Sequence, residues 1–146
     1  MVLQKYSDHA AHHFPVSVKS VIYLNDKVIL LKNERDEWEL PGGKLDPDES
    51  PESCVVREAF EELSISVQID RIIDSWLYVV SPNVEVVIIT YLCKIVGKNL
   101  SPIISHEHKE IGFFSIKEVP DLFMPDGYKR SIANSYKNGR KIVQIS

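Results

Sequence analysis

The stretch from Gly42 to Ile65 constrains this chain more than any other. It reads Gly-Gly-Lys-Leu-Asp-Pro-Asp-Glu-Ser-Pro-Glu-Ser-Cys-Val-Val-Arg-Glu-Ala-Phe-Glu-Glu-Leu-Ser-Ile. A glycine turn leads into a short acidic loop and then a single helix. Ser50 suits the N-cap, where its hydroxyl accepts an early backbone N–H. Pro51 suits the first helical position, where its missing N–H costs nothing. At 100° per residue, Val56, Ala59, Phe60 and Leu63 fall on one face, and Glu58, Glu61 and Glu62 on the opposite one. The first face is expected to meet the core.

Carboxylates at i, i+3 and i+4 are a chemical statement when something binds them. Mg²⁺ is a hard cation held by a few carboxylates together with water and substrate phosphates. An acidic trio on an outward helix face is more often simply solvated, since like charges at i,i+4 cost only about 0.2–0.5 kcal/mol per pair. The spacing around the trio decides against that ordinary reading. Five residues separate Gly43 from Glu49, seven separate Glu49 from Arg57, and Arg-Glu-apolar-any-Glu-Glu-any-Ser-apolar follows. Six such positions at about 7% background each coincide by chance on the order of once in 10⁷ starting positions.

This pattern resembles the Nudix box of the Nudix hydrolase family, with one departure: Ser64 stands where the family usually has Gly. Ser is less comfortable than Gly at positive φ, so the departure concerns the helix exit and not the acidic residues. The resemblance implies an α/β fold, an α/β/α sandwich around a mixed sheet whose strands are mostly flanked antiparallel. It implies that the Gly43 carbonyl joins Glu58, Glu61 and Glu62 in holding Mg²⁺, with Mn²⁺ as a substitute. It implies that Glu49 and Arg57 brace the box. A glutamate from outside the box often completes the family's metal cluster. By offset from Phe113, Glu107 matches that position best and Glu110 is second. The catalytic set implied is Glu61, Glu62 and Glu107.

The whole chain bounds the rest. Its 146 residues are one domain, expected over 1–146, with 44% apolar and 26% charged residues. A formal charge of −4 argues against a generic nucleic-acid or anionic-membrane binder. No apolar run reaches membrane-spanning length, and the N-terminus carries no signal-peptide pattern. Cys54 and Cys93 sit in no paired motif, which points to reduced thiols and a cytoplasmic protein. Both read as packing residues.

Along the chain, Val16 to Leu24 and Lys27 to Leu31 are β-rich and flank Asn25-Asp26, a hairpin signal. Val67 to Val80 and Glu85 to Val96 make a second, longer hairpin around Pro82-Asn83. Both faces of its second strand are apolar, which predicts a central strand covered on both sides. A short strand over Ile111 to Ser115 and a helix over Tyr128 to Lys137, closed by Asn138-Gly139, complete the order. Lys44, Lys32 and Arg35 are candidate phosphate contacts, weighed against ordinary surface charges. Trp38, Trp76, Tyr78 and Tyr91 are candidates to stack on a base, although each alone is more often core. His106 and His108 flank Glu107 and are candidates to orient the site or shuttle a proton. His9, His12 and His13 form a cluster better read as a polar surface arm than as a metal site.

The implied activity is metal-dependent hydrolysis of a diphosphate linkage in a nucleoside diphosphate derivative. The derivative is a nucleotide sugar, an ADP-ribose-like molecule, a dinucleoside polyphosphate or a nucleoside triphosphate. Neither Pro82 nor Tyr78 stands in the register that would select among these. Rival readings are a non-catalytic nucleotide-binding sensor on the same fold, and an isomerase or prenyl-diphosphate enzyme, which would need extra catalytic residues that no motif in the sequence marks. Long two-sided strands are compatible with a homodimer.

Overall fold

The computed structural model describes residues 12–136. His9, Lys137 and the Asn138-Gly139 closure lie outside the described residues. The strands are β1 (Val16–Leu24), β2 (Lys27–Lys32), β3 (Trp38–Glu39), β4 (Gly42–Lys44), β5 (Ser66–Ser81), β6 (Val84–Val96) and β7 (Glu110–Phe114). The helices are α1 (Pro51–Leu63) and α2 (Asp126–Asn134), with a 3₁₀ turn at Val119–Asp121.

The first hairpin turns at Asn25 and Asp26, whose φ values of 52° and 65° are those of a two-residue type I′ turn. β5 and β6 pair antiparallel from Ser66↔Val96 to Ser81↔Val84, with register shifts at Ile69/Arg71, Ile72/Asp74 and Val79/Ser81. These bulges bend and twist the long first strand of the hairpin. β6 then pairs parallel with β1, from Val16↔Val87 to Ile22↔Cys93. The sheet order is β3-β2-β1-β6-β5, with β4 on β1 and β7 on β2.

β6 is central, and both of its faces are covered. Tyr91 and Cys93 join Val55, Ala59 and Leu63 of α1 in one core cluster, together with Val18 and Ile22. Ile88 and Leu92 join Tyr128 and Ile132 of α2 in the other, together with Val21 and Leu30. This is the α/β/α sandwich expected above. The C-terminal helix ends earlier than expected, at Asn134.

One expectation about α1 is corrected. The buried residues are Cys54, Val55, Ala59, Glu62 and Leu63. Val56 and Phe60 are 38% and 60% exposed. The packed stripe is therefore rotated away from Val56 and Phe60 and includes an acidic residue. Glu62 tolerates that position because a backbone N–H meets its carboxylate, which a hydropathy pattern does not register.

Candidate active site

The site begins with two glycines. Gly42 has φ 146°, and a Cβ there would collide with the Val18 carbonyl oxygen. Only glycine lets the chain run this close to β1. A Cβ on Gly43 would collide with the Glu58 carboxylate, so that carboxylate lies directly on the Gly43 backbone. The Gly42 N–H donates to Glu62 Oε1 at 2.8 Å.

α1 delivers the acidic residues. Ser50 caps it, accepting from the Ser53 N–H at 3.1 Å, and Pro51 opens the first turn. Ser64 ends it in the left-handed conformation, φ 58° and ψ 31°, with its N–H bonded to the Phe60 carbonyl. Serine here adopts the geometry that glycine adopts more readily. The loop of residues 99–105 then closes over the helix end: Ile103 and Ser105 N–H groups donate to the Leu63 and Glu62 carbonyls.

The three glutamates descend from solvent into the protein. The Glu61, Glu58 and Glu62 side chains are 55%, 16% and 6% exposed. They do not share one outward face, which corrects that expectation. Arg57 Nη1 donates to Glu58 Oε2 at 3.3 Å and to Glu61 Oε1 at 3.0 Å, while Glu62 turns to Gly42. As they lie, no three His, Cys, Asp or Glu side chains among the described residues converge in ligating geometry. The donors are nonetheless chemically suited to a hard cation. All are oxygens, and Glu58 and Glu61 already converge on one positive charge, the Arg57 nitrogen between them.

Arg57 is held in turn by Glu49, with Nε to Oε2 at 2.6 Å and Nη2 to Oε1 at 3.0 Å. The Asp46 N–H donates back to Glu49 Oε1 at 3.2 Å, tying the acidic loop to the helix. The Arg57 bonds hold the Glu49 carboxyl at about 2, well below the usual range. Cys54 is buried beside this pair, with its thiol pushed up to about 12 by burial.

Beneath the row lie Lys19 and Glu39, which sequence reading missed, and His108, which it named as a candidate. Lys19, 7% exposed on β1, donates from Nζ to the Leu40 carbonyl at 3.1 Å. Burial works against its charge, but Tyr128, Glu39, Glu62 and Glu58 around it outweigh burial and keep it protonated. His108 Nε2 donates to Glu39 Oε2 at 3.1 Å and lies 3.8 Å from Glu62 Oε2. Burial also opposes ionisation of Glu39, yet bonds from His108 and Asn33 and the charge of Lys19 bring it down to about 2. Glu62 goes the other way: burial outweighs Lys19, the Gly42 N–H and His108 and raises its carboxyl to about 7. Burial likewise raises Glu58 against the pull of Arg57, and the charge of Glu61 adds to the rise. The one available signal for Lys19 was a lone charge inside β1, whose other residues are all uncharged.

The remaining candidates are placed as follows. Glu107 is exposed, and its own N–H reaches Ser105 Oγ at 3.4 Å. His108 carries the bonds from that loop into the glutamates, while His106 is exposed. Glu110 pairs with Lys32 at 3.5 Å, and the Lys32 ammonium lies 4.8 Å from the centre of the Trp38 ring. Arg35 pairs with Glu37 at 3.2 Å, and Lys44 is exposed. Trp38 and Tyr91 are buried in the cores and are not free to stack on a base. Trp76 and Tyr78 are half-buried and pack on each other and on Tyr128. His12 and His13 are exposed and line a cleft of about 310 Å³ with Phe14, Pro15, Asn83, Val84 and Glu85.

A family model described as NUDIX domain matches residues 13–135. Over 59 residues the chain is 44% identical to a MutT-like protein of Streptomyces ambofaciens, covering 39% of this chain and 38% of that protein. Over 50 residues it is 36% identical to diphosphoinositol polyphosphate phosphohydrolase 3-alpha of Mus musculus, covering 33% and 30%. The chain thus spans about a third of the length of the curated relatives it matches. Among solved structures, a NUDIX hydrolase from Nitrosomonas europaea superposes with a TM-score of 0.75 at 21% identity, covering 92% of this chain and 98% of that one. The MutT protein from Methanosarcina mazei Go1 superposes at 0.72 with 25% identity, covering 85% and 96%. A matching domain model over nearly the whole described chain, on this sandwich and this acidic helix, makes the chain a member of the Nudix family.

Proposed function

We propose that this chain is a pyrophosphohydrolase that cleaves a diphosphate linkage in a nucleoside diphosphate derivative, yielding a nucleoside monophosphate and a phosphorylated remainder. The observation that carries this reading is the graded glutamate row lying on the Gly42–Gly43 backbone, with Arg57 locked beside it by Glu49. Glu58, Glu61, Glu62 and the Gly43 carbonyl would hold Mg²⁺ or Mn²⁺, with Glu107 reaching in from its loop. When bound, such an ion neutralises phosphate charge, aligns the reacting groups and acidifies water.

The chain's own residues supply the rest. Crowded carboxylates repel: two charges about 5.5 Å apart cost roughly 3 kcal/mol at an effective dielectric near 20. Arg57 offsets that repulsion on the exposed side and keeps Glu58 and Glu61 oriented. Glu61 and Glu107, the two exposed carboxylates of the set, are the candidates to accept the proton of the attacking water. Lys44, exposed beside the glycines, would meet a phosphate, with Lys32 and Arg35 as further candidates. The free, buried thiols of Cys54 and Cys93 suit a cytoplasmic setting.

The test is a substrate panel on chelator-treated protein, with and without Mg²⁺ or Mn²⁺, followed by phosphate release. The panel spans nucleotide sugars, ADP-ribose, dinucleoside polyphosphates and nucleoside triphosphates. The mouse relative is named for a diphosphoinositol polyphosphate, so that class belongs in it too. Metal-dependent turnover of a nucleotide is the expected result. Binding without turnover on any substrate overturns the proposal in favour of a nucleotide sensor.

A further inference from the structure

Lys19 is a charged side chain that packing alone does not explain. Burying an ammonium costs more than its stem returns unless opposite charges are built around it. Its place is constructed. Lys19 pairs in register with Gly42, and the missing Gly42 Cβ would fall 2.9 Å from both Lys19 Cα and Lys19 Cδ. The stem therefore fills the space the glycine leaves. The ammonium donates to the Leu40 carbonyl and lies 5.6 Å from the centre of the Tyr128 ring. Glu39, Glu62 and Glu58 are the carboxylates whose charge it feels.

Glu39 is its counterpart. Its side chain is 16% exposed, and its two oxygens accept from His108 at 3.1 Å and from Asn33 at 3.3 Å. Neither Lys19 nor Glu39 reaches the exposed end of the glutamate row. Both are fixed charges under the buried end, where the medium screens them least.

We infer that Lys19 and Glu39 form a fixed pair of opposite charges beneath the glutamate row, and that their balance sets how tightly the row holds a divalent cation. The inference rests on the metal-binding reading of Glu58, Glu61 and Glu62. Lys19 repels an arriving cation and keeps its affinity low enough for release with product. Glu39 counters it. Both are positioning residues, since neither touches the reacting atoms. Opposite signs of effect distinguish this from a structural role, in which losing either residue loosens the site.

The experiment uses the full chain, stripped with chelator and without substrate. Mn²⁺ binding is read from the electron paramagnetic resonance of the free ion, at about pH 8.5 so that the carboxylates are ionised. Lys19→Met is expected to tighten the dissociation constant about tenfold and Glu39→Gln to weaken it about tenfold. The double variant returns to within about threefold of wild type, because the two charges leave together. Shifts in the same direction in both single variants, or both constants within about twofold of wild type, overturn the inference. Should Lys19→Met alone not fold, Glu39→Gln decides: an unchanged or tightened constant overturns it. Wild-type protein that binds no Mn²⁺ overturns the metal reading itself, a result distinct from bound Mn²⁺ that ignores both charges.

Discussion

Arg57 grips Glu49 through two parallel hydrogen bonds, Nε to Oε2 at 2.6 Å and Nη2 to Oε1 at 3.0 Å, and turns its remaining nitrogen to Glu58 and Glu61. One planar guanidinium thus ties the loop to the helix and orients two carboxylates. Lysine carries the same charge but not the fork. Arg57→Lys is expected to lower turnover by about tenfold while the circular dichroism spectrum stays as it is. Wild-type turnover in that variant would mean that the charge alone suffices.

The glutamates separate by depth. Glu61→Gln and Glu62→Gln are each expected to cut turnover by at least about a hundredfold without unfolding the chain. Glu107→Gln, on the exposed loop, is expected to lose less and to shift the pH–rate profile. Identical profiles for Glu107→Gln and wild type would assign the proton acceptor to the helix, and unchanged rates in both helix variants would remove the metal assignment.

Stability of the metal-free protein is expected to fall as pH rises. Glu62 has its carboxyl raised by burial from 4.5 to about 7, so the folded state holds that proton more tightly than the unfolded one. Its contribution is present below the unfolded value and is lost as pH climbs through about 7, a change of order 3 kcal/mol. His108, raised first by its bond to Glu39, acts in the same direction above its ordinary range. Glu39, held at about 2, acts in the opposite sense: its contribution is present above the ordinary 4.5 and is lost only as pH falls from there toward about 2, below the interval measured. Urea melts of chelator-treated protein between about pH 5 and about pH 8 measure the slope, and Glu62→Gln should flatten it. A stability that rises over this interval would contradict the burial of the Glu62 charge.

Ser64 sits at φ 58° with no Gly to ease it. The left-handed conformation costs an L-residue with a side chain about 1–2 kcal/mol, and the extra unfolded freedom of Gly gives back up to about 1 kcal/mol. Ser64→Gly is therefore expected to stabilise the protein by about 0.5–1 kcal/mol, read as a higher urea midpoint at unchanged slope. A lower midpoint would show that the serine side chain does more than fill the cap.

The local features were legible because they are written in adjacent residues. Ser50 and Pro51 start the helix, Asn25-Asp26 turns the hairpin, and the glycine-to-glutamate spacing marks the site, all through backbone preferences that span a few positions. The apolar residues on both faces of β6 likewise announced a strand covered on two sides. What the sequence by itself determined is this set of elements, their order and the acidic helix at their centre. Only the tertiary structure decided which side of that helix is buried, that Glu62 rests on the Gly42 N–H, and that Lys19, Glu39 and His108 lie beneath the row. Those groups come from β1, β3 and the loop before β7, so their meeting depends on sheet register and crossover. Their charge states depend on burial, and neither quantity is carried by any short run of residues.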